Sequence, residues 1–386
     1  MNARSFFAIF LLQNFATFLL VYGDQSNPLF DHFPQLREKI PYISLGKFPT
    51  PIHRLKIVEK KYGIGQLYLK DDGVCAKRFG GNKIRKLEFL LADAKARGAK
   101  TVIALGAAGS NYATAVAAYA PVAGLRSIML LTPQIISSYV RRNVLLMHYY
   151  NADIQYFKTD TDRSKALKQY QKSFRNYYTP VGGSNEIGAL GFINAAFELK
   201  AQIDDGVLPE PDYIYMACAS AGSCAGLIVG LQLAGVHSQV VCVRVIPAAN
   251  TILDQQVLLL AQSTNEWLHQ IDDTLPIMPI TGDSFQVRND SFGKGYGEVH
   301  QREYNAIKLL REKEGFVLDG TYAGKSFDAL IDDARAKNLQ NSVVLYWKTN
   351  TSGSYISSTK SVAYTDLPPA LHGYFTHDVQ PLDQGC

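Results

Sequence analysis

Apolar strands that end in a turn of small residues and continue as a helix occur twice in this chain, and this pattern limits the fold more than any other feature. In the first unit, the apolar run 101–105 leads into the turn 106–111 and an alanine-rich helix. In the second unit, the run 213–217 leads into the turn 218–223 and a further helix. Strands that alternate with helices predict a mainly parallel sheet with helices on both faces. Ligand sites in such sheets form at the carboxyl ends of strands, where both turns are expected to lie.

The length of the chain, 386 residues, is enough for about two domains of common size. A net charge of +5 is small for this length, and no long basic run is present. We therefore expect small molecules, and not nucleic acid, as binding partners. Residues 264–297 carry scattered proline, aspartate and glycine, and we expect this least regular region at a surface or over a cleft.

The N-terminal segment is treated separately, because Arg4 and the apolar run 5–22 are typical of a signal peptide. We predict a signal peptide over residues 1–23, a periplasmic or secreted protein, and no stable membrane association after cleavage. One alternative is an uncleaved membrane anchor, which the amides of Gln13 and Asn14 oppose. The other is a mis-assigned start upstream of a cytoplasmic enzyme.

The five cysteines form neither a disulfide framework nor a pair with metal-type spacing. Cys218 and Cys242 lie in apolar runs, where a buried thiol acting as a small apolar group is expected. We therefore predict no metal site, and the cysteine content gives export no support.

Lys83 lies at the start of a predicted helix over residues 82–97 and directly follows a turn with Gly80 and Gly81. The positive end of a helix disfavours an ammonium group, so it favours the neutral and nucleophilic form of this amine. The two glycines let a flat ligand come close to the backbone. The alternative explanation is an exposed helix face on which Lys83 and Lys86 are solvated.

The turn 219–223 offers successive backbone N–H groups and two serine hydroxyls at a helix start, which a phosphate group requires. It lacks the Gly-Lys-Ser/Thr ending of a Walker loop, and tight helix packing would also explain its small residues. The turn 106–111 is either a second anion site or a turn in which Ser110 caps the next helix. A lysine, a phosphate loop and the Ser110-Asn111 pair together suit pyridoxal 5′-phosphate, an aldehyde with one phosphate.

The chain resembles the family of 1-aminocyclopropane-1-carboxylate (ACC) deaminases and D-cysteine desulfhydrases, a branch of the tryptophan-synthase-β-like, fold type II pyridoxal-phosphate enzymes. The resemblance covers about residues 30–355 and rests on motifs in the family's order at 80–88, 109–111, 182–191, 220–227, 295–297 and 318–325. It implies an α/β fold with two open three-layer α/β/α domains, mainly parallel sheets and a cofactor in the cleft between them. It also implies a homodimer, a large cofactor-binding domain of residues 28–85 plus 196–386, and a small domain of residues 86–195.

The resemblance assigns a role to each matching residue. Lys83 becomes the Schiff-base lysine and the acid/base at the substrate Cα, while Ser110, Tyr296 and Tyr322 become the other catalytic side chains. Asn111 would bind the 3′-oxygen of the cofactor, and Lys86 would hold its phosphate together with the turn 219–223. The implied cofactor contacts are Asn82, Lys83, Lys86, Asn111, Ala219, Ser220, Ala221, Gly222, Ser223 and Thr349.

Two departures from the family pattern bear on the substrate. ACC deaminases have a glutamate near the pyridine nitrogen where this chain has Ala323, and a carboxylate there would strengthen the electron sink. Desulfhydrase-like members use a late threonine instead, for which Thr349 and Thr351 are both candidates. We therefore expect α,β-elimination on a small amino acid, giving pyruvate, ammonia and sulfide, with ACC deamination as the alternative.

Two other classes of protein fit parts of the sequence. A nicotinamide or nucleotide enzyme could use 106–109 as a pyrophosphate turn, although the Gly-x-Gly-x-x-Gly spacing and an acidic ribose partner are not evident. An exported, non-catalytic protein that binds amino acids would explain both the signal segment and the substituted site.

Overall fold

The computed structural model describes residues 27–247, 253–293, 295–337 and 339–383. The predicted signal peptide and its cleavage position lie outside these residues. Among the helices described, none combines the length and the apolar character that are needed to cross a bilayer.

The larger of two sheets has six strands, of which only the first edge strand is antiparallel to its neighbour. Its central strands are almost entirely buried, as expected for a sheet covered on both faces. In sheet order the strands are β1 (Ile52–Arg54), β2 (Gln66–Asp71), β10 (Val343–Lys348), β7 (Tyr213–Cys218), β8 (Gln239–Arg244) and β9 (Phe285–Arg288).

The smaller sheet has four parallel strands. In sheet order they are β5 (Asp153–Tyr156), β4 (Arg126–Thr132), β3 (Thr101–Ala107) and β6 (Asn176–Thr179). This sheet lies inside the segment 86–195, while the strands of the larger sheet come from both sides of that segment. The described residues therefore form two α/β units, each with its own sheet. The exact domain boundaries stay a prediction.

The α-helices of the described residues connect and cover the two sheets. They are α1 (Pro28–His32), α2 (Lys56–Tyr62), α3 (Lys83–Ala96), α4 (Asn111–Tyr119), α5 (Ser138–Tyr149), α6 (Asp160–Tyr170), α7 (Glu186–Asp204), α8 (Gly222–Leu233), α9 (Leu253–Ile271), α10 (Gln301–Glu314), α11 (Ala323–Lys337), α12 (Ile356–Lys360) and α13 (Gly373–Thr376). Short 3₁₀ turns join several of them.

Helices α3, α7 and α8 pack with almost no space between their backbones, because glycines lie at the contacts. A Cβ atom on Gly191 of α7 would lie 2.3 Å from the carbonyl oxygen of Arg85 in α3. A Cβ atom on Gly226 of α8 would lie 2.2 Å from the carbonyl oxygen of Ala189 in α7. This close stack brings the start of α3 and the start of α8 to the same end of the larger sheet.

The structure corrects the prediction that residues 264–297 form the least regular region, because α9 continues to Ile271. The buried positions Ala261, Thr264, Asn265 and Leu268 follow the helical spacing. Two of them are polar, which concealed the apolar face in the sequence. The helix predicted to follow the turn 218–223 also begins earlier than expected, because it starts at Gly222 inside that turn.

Candidate active site

A cavity lies where the carboxyl ends of β3, β7 and β10 face the first turn of α3. Its walls combine small residues, hydroxyls, amides and one lysine. They are formed by Asn82, Lys83, Asn111, Ala217, Cys218, Ala219, Ser220, Ala221, Gly222, Ser223, Cys224, Tyr322 and Thr349. Residues from segments more than 260 positions apart in the chain therefore meet at one point.

Most of the residues that the sequence predicted for the site lie on these walls. The exceptions are Lys86, Ser110 and Tyr296, which lie behind the walls and contact residues that line the cavity or support its loops.

Lys83 is the first residue of α3, and its amine lies in a poorly solvated place. Burial lowers the pKa of this amine to about 8. Gly81 before it has a positive φ of 108°, and a Cβ atom there would lie 2.7 Å from the carbonyl oxygen of Thr349. The amide of Asn82 donates to the hydroxyl of Ser223 at 3.1 Å. The glycine turn thus contacts the walls formed by Thr349 and Ser223, and Lys83 lies between these two walls.

The turn 219–223 forms a cradle with Lys86 and Ser184. Lys86 Nζ donates to the carbonyl oxygen of Gly182 at 2.9 Å and to Ser184 Oγ at 3.2 Å, and Ser184 Oγ lies 2.8 Å from Ser220 Oγ. A Cβ atom on Gly222 would lie within 2.7 Å of both Lys86 Nζ and Ser184 Oγ. Burial and the neighbouring charge of Lys83 lower the pKa of Lys86. The cradle therefore collects hydroxyls, helix-start N–H groups and a cation around a space that only glycine leaves open.

Asn111 lines the cavity with an amide whose orientation is set from behind. Its Oδ1 accepts a hydrogen bond from Asn143 Nδ2 at 2.8 Å, and Asn143 Nδ2 also donates to the carbonyl oxygen of Gly109 at 2.8 Å. Arg142 donates to Asn143 Oδ1 through Nε at 3.1 Å and Nη2 at 2.9 Å. Because its oxygen is engaged, Asn111 offers its N–H₂ donors to the cavity. Sequence reasoning missed Asn143, which lies inside a helix without a motif.

Ser110 is the N-cap of α4, where its Oγ accepts a hydrogen bond from the backbone N–H of Ala113 at 3.2 Å. Of the two alternatives that the sequence left open for the turn 106–111, helix capping is therefore present. The cap also fixes the position of Asn111, the first residue of the helix. The hydroxyl proton of Ser110 stays free for a ligand, so the cap does not decide its catalytic role.

Tyr296 and Tyr322 form a pair joined by their hydroxyl groups. Burial raises the pKa of Tyr296 to about 12, and burial together with Tyr296 raises the pKa of Tyr322 well above its ordinary value. Asp319 Oδ1 accepts hydrogen bonds from the backbone N–H groups of Thr321 at 2.9 Å and Tyr322 at 2.6 Å. Both phenols are thus held in place and stay protonated in neutral solution.

The two candidate threonines lie in different surroundings. Thr349 lines the cavity, whereas the hydroxyl of Thr351 is hydrogen-bonded to the hydroxyl of Tyr355. Ala323 is fully buried in an apolar cluster, and its carbonyl oxygen accepts a hydrogen bond from Tyr346 Oη at 2.6 Å. Thr349 is therefore the threonine that is available to a ligand.

Comparison with known proteins agrees with this geometry. A family model described as pyridoxal-phosphate dependent enzyme matches residues 43–348. A D-cysteine desulfhydrase of Klebsiella pneumoniae subsp. pneumoniae is 32% identical over 314 residues, which cover 78% of this chain and 91% of that protein. A second D-cysteine desulfhydrase, from another strain of Klebsiella pneumoniae, is 32% identical over 317 residues, covering 78% and 91%.

Solved structures share the fold. The crystal structure of an ACC deaminase homologue has a TM-score of 0.71 at 26% identity, and the match covers 88% of this chain and 99% of that one. A fungal L-serine ammonia-lyase from Rhizomucor miehei has a TM-score of 0.57 at 17% identity, covering 82% and 98%. The second likeness shows the fold alone.

The residues of the cavity fit the group that the family model names. The space beside Gly222, which a Cβ atom would fill, is surrounded by donors suited to a phosphate. A poorly solvated amine at Lys83 suits an aldehyde, and the donors of Asn111 suit a ring oxygen. Phosphate, aldehyde and ring oxygen thus each meet a group of matching chemistry.

Proposed function

Since the chain belongs to the family of pyridoxal-phosphate-dependent enzymes, we propose that it is a lyase that catalyses α,β-elimination on a small amino acid, with D-cysteine as the substrate. D-Cysteine and water are converted to pyruvate, ammonia and hydrogen sulfide. The observation that carries the proposal is the poorly solvated amine of Lys83 beside a phosphate cradle, in a chain 32% identical to a D-cysteine desulfhydrase.

Groups of this chain would hold the cofactor on three sides. When bound, pyridoxal phosphate supplies an aldehyde that captures amines and a ring that accepts the electron pair of the substrate Cα. Lys86 and the N–H groups and hydroxyls of the turn 219–223 would hold the phosphate. Asn111 would donate to the ring oxygen, and Thr349 would hydrogen-bond the ring nitrogen.

The amine of Lys83 serves first as the attachment point and then as the base. Near neutral pH a pKa of about 8 leaves an appreciable fraction of this amine unprotonated, which an exposed lysine does not have. With the substrate bound in the cavity, Lys83 Nζ would remove the proton from the substrate Cα.

The tyrosine pair is placed to assist the leaving group. Because burial keeps both phenols protonated, the hydroxyl of Tyr322, which lines the cavity, can donate a hydrogen bond to the sulfur as its bond to Cβ breaks, with Tyr296 behind it. The pair shares one hydrogen bond, so a proton lost from one hydroxyl can be replaced through the other. Ser110, at the start of α4, would donate its hydroxyl proton to the substrate carboxylate.

ACC deamination is the second candidate, and the structural likeness to an ACC deaminase homologue favours it. We prefer the desulfhydrase because position 323 carries alanine and, of the two candidate threonines, Thr349 lines the cavity. A neutral hydroxyl leaves the ring a weaker electron sink than a carboxylate would, which suits the expulsion of a good leaving group such as a thiolate.

The test is an assay of purified protein loaded with pyridoxal phosphate. We expect sulfide and pyruvate from D-cysteine, and at most slow release of 2-oxobutanoate from ACC. Lys83→Ala should lose both the products and the visible absorption band of the lysine-bound cofactor. Lys95→Ala, which changes a lysine in the last turn of the same helix, is the matched control and should keep both.

Three outcomes distinguish the alternatives. Ammonia and 2-oxobutanoate from ACC without sulfide from D-cysteine would identify an ACC deaminase. A visible band that responds to amino acids without any product would identify a non-catalytic binding protein. No band in wild-type protein would favour a nicotinamide or nucleotide enzyme and would contradict the proposal as a whole.

We also propose that the protein is a homodimer of two-domain chains and that residues 1–23 direct its export. The family resemblance supports the dimer, and the four-stranded sheet within residues 101–179 supports a small domain at 86–195. Sedimentation of the purified protein tests the dimer. N-terminal sequencing of protein from its native source tests the export signal, because cleavage after Gly23 would leave Asp24 as the first residue.

A further inference from the structure

Three cysteines from three different elements converge beside the cavity. Cys218 ends β7, Cys242 lies on the neighbouring strand β8, and Cys224 lies in the first turn of α8. The strand register pairs Cys218 with Arg244, so Cys242 lies two residues away along β8 and on the same face of the sheet. All three cysteines belong to one apolar cluster and are buried with free thiols. The register of two strands and the start of one helix thus create a group of thiols.

The distances between these thiols suit a single bound ion. The three sulfur atoms all lie within 4.8 Å of one another. Three thiolates that share one ion at metal–sulfur distances of about 2.3 Å are separated from one another by about 4 Å. Only small side-chain adjustments are therefore needed for Cys218, Cys224 and Cys242 to share one ion. Ligand sets made of sulfur select soft and borderline cations.

Access and charge also favour an ion at this place. Cys218 and Cys224 line the cavity, so an ion can reach them without unfolding of the chain. A divalent ion with three thiolates carries a net charge of −1, and a buried charge needs a partner. Lys83 and Lys86 both lie close enough to Cys218 and Cys224 to interact with them electrostatically. In the cofactor-free chain the hydrogen bonds of Lys86 go to the neutral groups of Gly182 and Ser184, so its charge is available to compensate the site.

We propose that Cys218, Cys224 and Cys242 form a binding site for one thiophilic cation of the class of zinc, cadmium or copper(I). Binding of a divalent ion replaces three S–H bonds by three metal–sulfur bonds and releases three protons to solvent. A water molecule from the cavity can complete a tetrahedral set of ligands. The site goes beyond the elimination reaction, in which these thiols have no role.

The experiment uses the full chain freed of cofactor, so that the cavity is open, with Cys75 and Cys386 replaced by alanine so that the cluster supplies all the remaining thiols. Cadmium ion is the probe, because its thiolate complexes absorb in the ultraviolet. Equilibrium dialysis measures the stoichiometry and the affinity. We expect one cadmium ion per chain, a thiolate-to-metal absorption band, and no displacement by an excess of magnesium, which prefers oxygen ligands.

Cys242→Ser in the same background is the matched variant, because it removes one sulfur and keeps the size of the side chain. We expect it to weaken cadmium binding at least about 100-fold, since a ligand matters at least as much as the groups that orient it. Unchanged affinity, a stoichiometry well below one, or displacement by magnesium would overturn the proposal. Circular dichroism establishes whether the variant is folded; if it is not, Cys224→Ser replaces it with the same expectation. Binding is read without turnover, so failure here leaves the desulfhydrase assay as a separate test.

Discussion

The lowered pKa of Lys83 depends on the tertiary burial of its amine, which its neighbours in the sequence do not determine. Lys83 and Lys86 lie one turn apart on α3, and both amines are poorly solvated, so the pKa of each is lowered. Each has a different environment, because Lys86 is hydrogen-bonded to Gly182 and Ser184 while Lys83 faces the cavity. In the proposed function, the same residue type would thus supply a nucleophile at one position and a phosphate-binding cation at the other.

The pKa of Lys83 predicts how the loading of apoenzyme depends on pH. Only the neutral amine attacks an aldehyde, so the rate of cofactor uptake should rise with pH and level off above a midpoint at about 8. Stopped-flow absorption after mixing apoenzyme with pyridoxal phosphate measures this rate. Melting temperatures over the same pH range exclude partial unfolding as the cause. A midpoint near 10.5, the ordinary lysine value, would show that Lys83 is solvated.

Asn143 is predicted to act as a positioning residue for Asn111. Asn143→Leu removes the donor to Asn111 Oδ1, which frees the amide of Asn111 to rotate. We expect a cofactor affinity about 10-fold weaker and a shifted visible band, in addition to a loss of about 1–3 kcal/mol of stability. Asn194→Leu is the control, because Asn194 is also buried and accepts from the backbone N–H of Leu29 far from the cavity. Equal loss of cofactor affinity in both variants would reduce Asn143 to a structural role.

Among the helices, the stack of α3, α7 and α8 determines the shape of the site. Glycines at its contacts let the helix backbones approach so closely that the carbonyl oxygens of one helix leave no space for a Cβ atom at the glycine of the next. The start of α3 carries Lys83 and the start of α8 follows the turn 219–223, so the spacing of the stack sets the distance between amine and phosphate cradle. Packing in this stack is therefore also a condition for function.

A methyl group inserted into the stack should be costly. Gly226→Ala places a Cβ atom 2.2 Å from the carbonyl oxygen of Ala189, and the resulting overpacking should reduce the free energy of unfolding by about 1–3 kcal/mol. Gly282→Ala is the matched control, because no heavy atom lies within 4 Å of its added Cβ, and it should change stability by no more than about 0.5 kcal/mol. Chemical denaturation measures both. Similar free energies of unfolding for the two variants would show that α7 and α8 can move apart without loss of stability.

In the whole molecule, a buried network of charges joins α3 to α7 and to the larger sheet. Arg85 on α3 binds Asp72 at 2.7 Å and Glu198 on α7 at 2.8 Å, and Lys70 on β2 binds Glu198 at 2.6 Å. The indole of Trp347 on β10 donates to Asp72 at 2.9 Å. These charges are almost completely buried, so each depends on its partners.

Removal of the central cation should leave Asp72 without its ion-pair partner and Glu198 with Lys70 alone. We expect Arg85→Leu to lower the free energy of unfolding by about 3–5 kcal/mol. Asp204→Asn breaks the exposed pair with Lys200 on α7 and should cost no more than about 0.5 kcal/mol, which makes it the control. Urea denaturation of the two variants measures the difference, and comparable losses would contradict the buried network.

The pH dependence of this network follows from Glu198. Although burial opposes it, the charges of Arg85 and Lys70 hold the pKa of Glu198 well below its ordinary 4.5. A lowered pKa in the folded state means that Glu198 adds stability above pH 4.5 and that this stability is lost as the pH falls toward the folded value. Because Arg85→Leu removes part of this contribution, the difference in the free energy of unfolding between wild type and variant should shrink as the pH falls below 4.5.

Local patterns in the chain were sufficient for the alternation of strands and helices, the two small-residue turns and the glycine turn before Lys83. They failed where a helix buries polar residues, as α9 does with Thr264 and Asn265. They also left Thr349 and Thr351 equivalent, because both hydroxyls occur within three residues of one loop. The structure distinguishes them, because Thr349 lines the cavity while the hydroxyl of Thr351 is hydrogen-bonded to Tyr355.

The sequence by itself determined which chemistry this protein carries, because a lysine after two glycines and a turn of small residues before a helix are local arrangements. Tertiary structure alone decided which distant groups cooperate: Ser184 with Lys86, Asn143 with Asn111, and Cys242 with Cys218 and Cys224. The physical reason is that strand register and backbone contact between helices set these distances. Neither strand register nor backbone contact between helices produces a pattern that can be recognised in the sequence.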